Sequence, residues 1–352
     1  MEKWEQLLEE LPLPQPGQKV LIWGAGNTSV LNHEGMIREN LYEELRVSAF
    51  LDSKLAGTEF NGFPVLHPDM LRSEDADAVF ILISTTNNRA FCEIGNECRK
   101  LGIKSCLLDA VMVKLRKEEF KVSAKLFDAA SRDIYNHLLE YRISCGGEYE
   151  KLYAGESYFG IPAFCRADGS DVIIDCGAYV GDSAERYIWR MDKFKKYIAI
   201  EPDYNNYSAM TKRFVRLREE WNIPEEKLIA FWGGTDEVSG RRNVESRVAG
   251  LGSVAADKAD TGSDGVAFWA LDDLFPEGFT FLKADIESYE YRMLHGARKT
   301  IQKYKPRMAI CIYHSMIDMF SIPLLIHTIF PGYKLEVRHH SYGYEETVLY
   351  AY

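Results

Sequence analysis

Val172-Ile173-Ile174-Asp175-Cys176-Gly177-Ala178-Tyr179-Val180-Gly181-Asp182 is the stretch that decides the fold. An apolar run feeds a bend with two glycines, and the bend opens a helix. Gly177 and Gly181 let the backbone approach a ligand at the carboxyl end of a sheet. Dinucleotide sites use the same device, so the glycines alone do not choose the ligand. The acids do. A pyrophosphate wants bare amides and a helix start free of negative charge, whereas Asp175 precedes the bend and Asp182 stands at the helix start. An opposite charge at about 4–6 Å is worth roughly 1–4 kcal/mol, depending on solvent access. Two carboxylates therefore favour a cationic ligand, and S-adenosylmethionine, with its sulfonium and ammonium, is the cofactor expected.

Outward from the bend, the alternation of strand and helix continues. Strands are predicted at 197–201, 228–231, 266–269, 280–285 and 307–313. Met293, Leu294, Ala297 and Ile301 share one helix face, which stops before Pro306. Ser321 is placed to cap a last helix with Pro323 in its first turn. Runs at 334–338 and 347–351 read as a closing antiparallel hairpin. Glu201, ending the second strand before Pro202, lies at the distance from a nucleotide-binding turn where an acid takes ribose hydroxyls. An acid can also end any strand of such a sheet. Phe231-Trp232-Gly233-Gly234 follows the third strand, where an adenine ring could stack on an aromatic; simple core packing is the other reading.

The amino-terminal half repeats the theme less sharply. Runs at 19–23, 46–51, 78–83 and 105–108 alternate with helical stretches. Gly24-Ala25-Gly26-Asn27-Thr28-Ser29 is a degraded G-x-G-x-x-G with serine in the third place, and Asp52 ends the next strand, so Gly24, Gly26 and Asp52 form a second nucleotide-type site. Residues 110–150 lack strand signals and read as helical. The expected class is α/β with two Rossmann-like domains: 1–110, a helical connector at 111–154, and 155–352 with a mostly parallel seven-stranded sheet ending in an antiparallel hairpin.

Asp175-x-Gly177-Ala178-x-x-Gly181-Asp182, Glu201-Pro202, Leu271-Asp272, Lys283-Ala284-Asp285-Ile286-Glu287 and Tyr313-His314 stand in the order seen in the FkbM methyltransferases. Residues 155–352 resemble that family, which implies a class I methyltransferase fold, S-adenosylmethionine as cofactor and O-methylation. The cofactor contacts implied are Asp175, Gly177, Ala178, Gly181, Asp182, Glu201, Pro202, Gly233 and Ser253. Ser253 ends Gly250-Leu251-Gly252-Ser253, which is similar to a family loop that closes on the cofactor and reads equally as a surface turn. The family usually follows its Asp-x-Glu with Gly-Ala-Glu; the bulkier Ser288-Tyr289-Glu290 implies either a reshaped acceptor pocket or an inactive relative. With Gly24–Ser29 and Asn61-Gly62-Phe63-Pro64-Val65, residues 19–108 resemble the small Rossmann-like domains of sugar O-acyltransferases, which implies either a domain that presents a sugar or natural-product acceptor or a scaffold that has lost its ligand.

For the chemistry, Asp285, Glu287 and His314 follow the later strands on the edge where such sheets carry their sites. His314 has the pKa for a general base near neutrality, and a strand-end hydrogen bond is its plainer role. Asp285 is expected at the cofactor's methionine end or the acceptor. Asp285, Glu287 and His314 could together hold a divalent metal, although nothing in their spacing demands one. Alternatives are an NAD-dependent oxidoreductase acting on nucleotide sugars, which leaves the acids of 175–182 unexplained, and a non-catalytic protein that senses the cofactor.

The chain has 352 residues and a formal charge of −11. That excess of acids argues against a nucleic-acid partner. Seven scattered cysteines with no C-x-x-C pair read as reduced thiols. An acidic start and no 18-residue apolar run predict a cytoplasmic protein without a membrane partner. A small-molecule or glycan acceptor is the partner expected, and self-association is compatible with the sequence.

Overall fold

The computed structural model describes residues 2–165, 169–191, 193–242, 244–246, 253–255 and 265–352. The chain divides into two units. The first comprises Met1–Tyr153, Tyr313–Ser321 and Ser341–Glu345; the second comprises Ala154–Ile312, Ile322–His340 and Glu346–Tyr352. The segments at 313–321 and 341–345 thus group with the amino-terminal part, although the sequence places them in the carboxyl-terminal domain.

In the first unit, strands β1 (Lys19–Trp23), β2 (Val47–Leu51), β3 (Glu59–Phe60), β4 (Phe63–Leu66), β5 (Val79–Ile83) and β6 (Lys104–Leu107) form one sheet in the order β3-β4-β2-β1-β5-β6. All pairings are parallel except the β3–β4 hairpin, which turns through Asn61 and Gly62 at positive φ. Every residue of β5 is buried, as a parallel strand covered on both faces requires. Helices Leu108–Leu115, Lys117–Ala124 and Ala129–Ser144 occupy the stretch read as helical.

The second unit begins with β7 (Val172–Cys176), β8 (Lys196–Glu201) and β9 (Leu228–Trp232). Short pieces follow: β10 (Gly234–Thr235), β11 (Gly240–Arg242), β12 (Val244–Ser246), β13 (Ser253–Ala255) and β14 (Val266–Trp269). It ends with β15 (Phe281–Ala284), β16 (Arg307–Cys311), β17 (Leu335–His339) and β18 (Thr347–Ala351). The main sheet has seven strands in the order β17-β18-β16-β15-β7-β8-β9. It is parallel except where β18 pairs antiparallel with β16 and β17. This is the class I methyltransferase arrangement. Walking from β7, the chain adds β8 and β9 on one side, then returns to place β15 and β16 on the other. The switch point lies between β7 and β15, where an open α/β sheet leaves a crevice.

Two expectations change. Val266–Trp269 is a strand, yet it joins β10 and β11 in a separate three-stranded sheet; a run of four apolar residues announces a strand but not its partner. Pro323 lies inside the helix Asp318–Ile329 rather than in its first turn. A proline there forfeits the bond to the carbonyl four residues back, and that carbonyl, of Met319, accepts the Tyr135 hydroxyl at 3.1 Å instead.

Candidate functional site

The bend after β7 sits at the switch point and is tightly built. Gly177 has φ +74°, and a Cβ there would come within 1.7 Å of the Asp285 carbonyl oxygen. Gly181 has φ +78°, and its Cβ would press on Phe214 and Met210 at 2.9 and 3.0 Å. Only glycine combines that backbone with that proximity. The amides of Gly177 and Ala178 donate to the Ile200 carbonyl, fastening the bend to the end of β8.

Asp175 is turned into the protein. It is fully buried, its Oδ1 lies 2.9 Å from Lys283 Nζ, and its Oδ2 accepts the Tyr197 hydroxyl at 2.7 Å. Asp175 and Lys283 stand opposite each other in register on β7 and β15. Lys283 also donates to the Gly177 carbonyl at 2.7 Å. The pair therefore holds the bend from beneath. Burial pulls against the charge on Lys283, and the carboxylates of Asp175 and Asp285 more than offset it, raising its pKa. Of the two carboxylates expected to bracket the bend, Asp175 is committed to this buried pair, whereas Asp182 is half-exposed and paired with Arg186 at 2.6 Å.

Glu201 supplies a second acid at the bend. Its Oε2 accepts the Tyr179 amide and its Oε1 the Asp203 amide, each at 2.9 Å. Burial drives its pKa up to about 7, against the lowering effect of those amides from Asp203 and Tyr179. Pro202 follows, and its carbonyl accepts the Trp232 indole N–H at 3.1 Å. Trp232 is 46% exposed and lies beside Tyr204 and Tyr207, whereas Phe231 packs on Trp269 at 4.7 Å. A Cβ at Gly233 would strike the Trp269 ring at 2.2 Å. Gly250, Leu251 and Gly252 lie outside the described residues; Ser253 opens β13, paired with Ser246.

Across the crevice, Asp285 follows β15, and its amide donates to the Cys176 carbonyl. Its Oδ2 accepts the Tyr158 hydroxyl at 2.9 Å. Glu287 and Ser288 then take φ +57° and +75° in succession, a turn that costs a non-glycine residue roughly 1–3 kcal/mol per position. Ser288, Tyr289 and Glu290 are all buried, and Glu290 Oε1 accepts the Ile286 amide at 2.8 Å. Their bulk is therefore directed inward.

Glu346, absent from the sequence reading, is a further acid of this unit. Burial first, and the charge of Asp285 second, raise its affinity for a proton; Ser157 donates to it at 3.2 Å. Lys283 announced itself as a charge inside an apolar strand, but Tyr158 and Glu346 carry no local signal. His314 is buried and belongs to the first unit, its ring 4.1 Å from that of Tyr313.

In the first unit, the amide of Gly24 donates to the Leu51 carbonyl, and a Cβ on Gly24 would lie 2.7 Å from the Ser84 carbonyl oxygen. Gly26 caps the helix Asn27–Arg38. Ser29, in the third glycine's place, donates to the Gly24 carbonyl at 2.5 Å. Asp52 accepts the amides of Lys54 and Leu55, and of Ala25 at 3.4 Å, so its carboxylate is largely spent on its own turn.

Residues 175–344 match the family model described as the methyltransferase FkbM domain. The crystal structure of methyltransferase FkbM from Methylobacillus flagellatus KT is similar, with a TM-score of 0.60 and 21% identity over 99% of this chain and 97% of that one. That likeness establishes the fold. The acetyltransferase domain of PglB from Neisseria gonorrhoeae FA1090 (TM-score 0.21, 26% identity, 25% of this chain and 41% of that one) overlaps only slightly. Fibrillarin from Aeropyrum pernix (TM-score 0.33, 11% identity, 53% and 68%) overlaps too partially to bear on the reading. No curated protein matches the chain in sequence. Among the described residues, no helix is long and apolar enough to cross a membrane.

Proposed function

We propose, from the premise that residues 175–344 form a methyltransferase FkbM domain, that this chain methylates a hydroxyl of a sugar or natural-product acceptor. S-adenosylmethionine is the cofactor. The bend at the switch point carries the reading: its backbone is packed so closely that a Cβ at Gly177 would strike the Asp285 carbonyl, and the acids Glu201, Asp182 and Asp285 stand about it. Those charges match a sulfonium and an ammonium and would oppose a diphosphate. Glu201 is set to take the ribose hydroxyls, and Trp232 offers an exposed aromatic face beside it.

When bound, the cofactor supplies an electrophilic methyl carbon on a good leaving group, so the protein must align the acceptor and remove its proton. Within the second unit we place that proton acceptor at Glu346; His314, the base expected from sequence, lies in the first unit. Asp285 accepts the Tyr158 hydroxyl, and its carboxylate helps raise the pKa of Lys283. Glu346, facing that neighbouring charge, binds a proton more readily. A positioned base contributes about 10²–10⁴-fold. Incubation with S-adenosylmethionine and candidate acceptors should accumulate S-adenosylhomocysteine and a methyl ether. Calorimetric binding of NAD at the bend, with none of S-adenosylmethionine, would sink the proposal.

A further inference from the structure

The first unit carries a cleft of about 340 Å³ that the methyl-transfer chemistry does not use. That volume suits a small organic molecule. Its apolar walls are tyrosines. Tyr141 and Tyr149 meet edge to face at 5.1 Å, and Tyr344 lies with its ring centroid 5.4 Å from the Arg142 guanidinium carbon. Gly147 is needed to seat one of them, since a Cβ there would lie 2.1 Å from the Tyr141 ring. Its polar wall is neutral: Thr85, Thr86, Asn87 and Asn88, where the chain leaves β5 and enters the helix Asn88–Lys100.

The charges lining the cleft exclude a phosphate. Arg142 is its one cation, and the guanidinium is committed: Nε and Nη2 contact Asp109 Oδ2 at 2.8 and 2.7 Å, and Nη1 donates to the Tyr313 carbonyl at 2.9 Å. Both partners are buried, at 4% side-chain exposure each, so the pair is neutral as a unit. Glu345 adds a negative charge. The start of the helix is already capped, with Asn87 Oδ1 accepting the Ala90 amide at 3.0 Å. Among the described residues that line the cleft, an anion would meet a carboxylate and no uncommitted cation.

We infer that this cleft binds the pyranose ring of an uncharged sugar. A sugar presents an apolar C–H face to an aromatic ring and a rim of hydroxyls that both donate and accept. With Asn87 Oδ1 capping the helix, Asn88 Nδ2 on the Cys145 carbonyl and Thr85 Oγ1 on the Asn87 backbone amide, the Thr86 hydroxyl and Asn87 Nδ2 answer those hydroxyls, and Glu345 accepts from them. The inference is independent of methyl transfer, because it concerns binding in the absence of cofactor. Saturation-transfer NMR on the full chain, with the methyl glycosides of glucose, galactose, mannose and N-acetylglucosamine, tests it. At least one glycoside should receive saturation on its ring protons. Tyr344→Ala and Thr86→Val should each weaken its affinity about tenfold, with melting temperature and S-adenosylmethionine affinity unchanged. No transfer to any glycoside, undiminished transfer in both variants, or displacement of the sugar by inorganic phosphate would each overturn it.

Discussion

Glu201 gives the sharpest test. Its pKa is raised from an ordinary 4.5 to about 7 by burial, so the folded protein without ligand holds a proton there that the unfolded chain releases at lower pH. The sign follows: its contribution to stability is fully present below about pH 4.5 and is lost as pH rises through about 7, a swing of about 3 kcal/mol from 2.5 units at 1.36 kcal/mol each. Ribose hydroxyls donate to the carboxylate, so nucleoside binding requires the proton to leave. 5′-Methylthioadenosine, which lacks the amino acid end of the cofactor, isolates this effect. Its affinity should rise about tenfold per pH unit from about pH 5 to 7 and level off above. Glu201→Gln should flatten the profile and weaken binding by about 2–3 kcal/mol. Isothermal titration calorimetry across that range reads both. A flat wild-type profile, or affinity that increases as pH falls, would refute the reasoning.

Lys283→Met should strand the buried Asp175 charge and cost about 3–5 kcal/mol in urea unfolding, while the double variant with Asp175→Asn recovers most of it. Gly177→Ala should cost at least about 2 kcal/mol and abolish calorimetric binding of S-adenosylmethionine, because the methyl group has nowhere to go beside the Asp285 carbonyl. Glu346→Gln should lower kcat by about 10²-fold or more with cofactor affinity little changed. His314→Ala, measured beside it, should leave kcat within about threefold of wild type; the opposite ranking would return the base to His314.

Much was legible along the chain because it is local. An apolar run followed by glycine and an acid specifies strand, bend and helix start, and two series of such units specify a parallel sheet without knowledge of which strand pairs with which. The order of motifs around Asp175, Glu201 and Asp285 marks the edge of the sheet where the site forms. Sequence cannot show where a side chain points. Asp175 reads as ligand-facing from its place before the bend, but the in-register pairing of β7 with β15 sets Lys283 directly opposite, and burial forces the two charges together. Glu346 lies 61 residues beyond Asp285 in the chain, and only the return of the closing hairpin lets the one carboxylate raise the proton affinity of the other. Strand and turn are fixed by neighbours in the chain; the availability of a charge to a ligand is fixed by neighbours in space, since it depends on which opposite charge is buried with it.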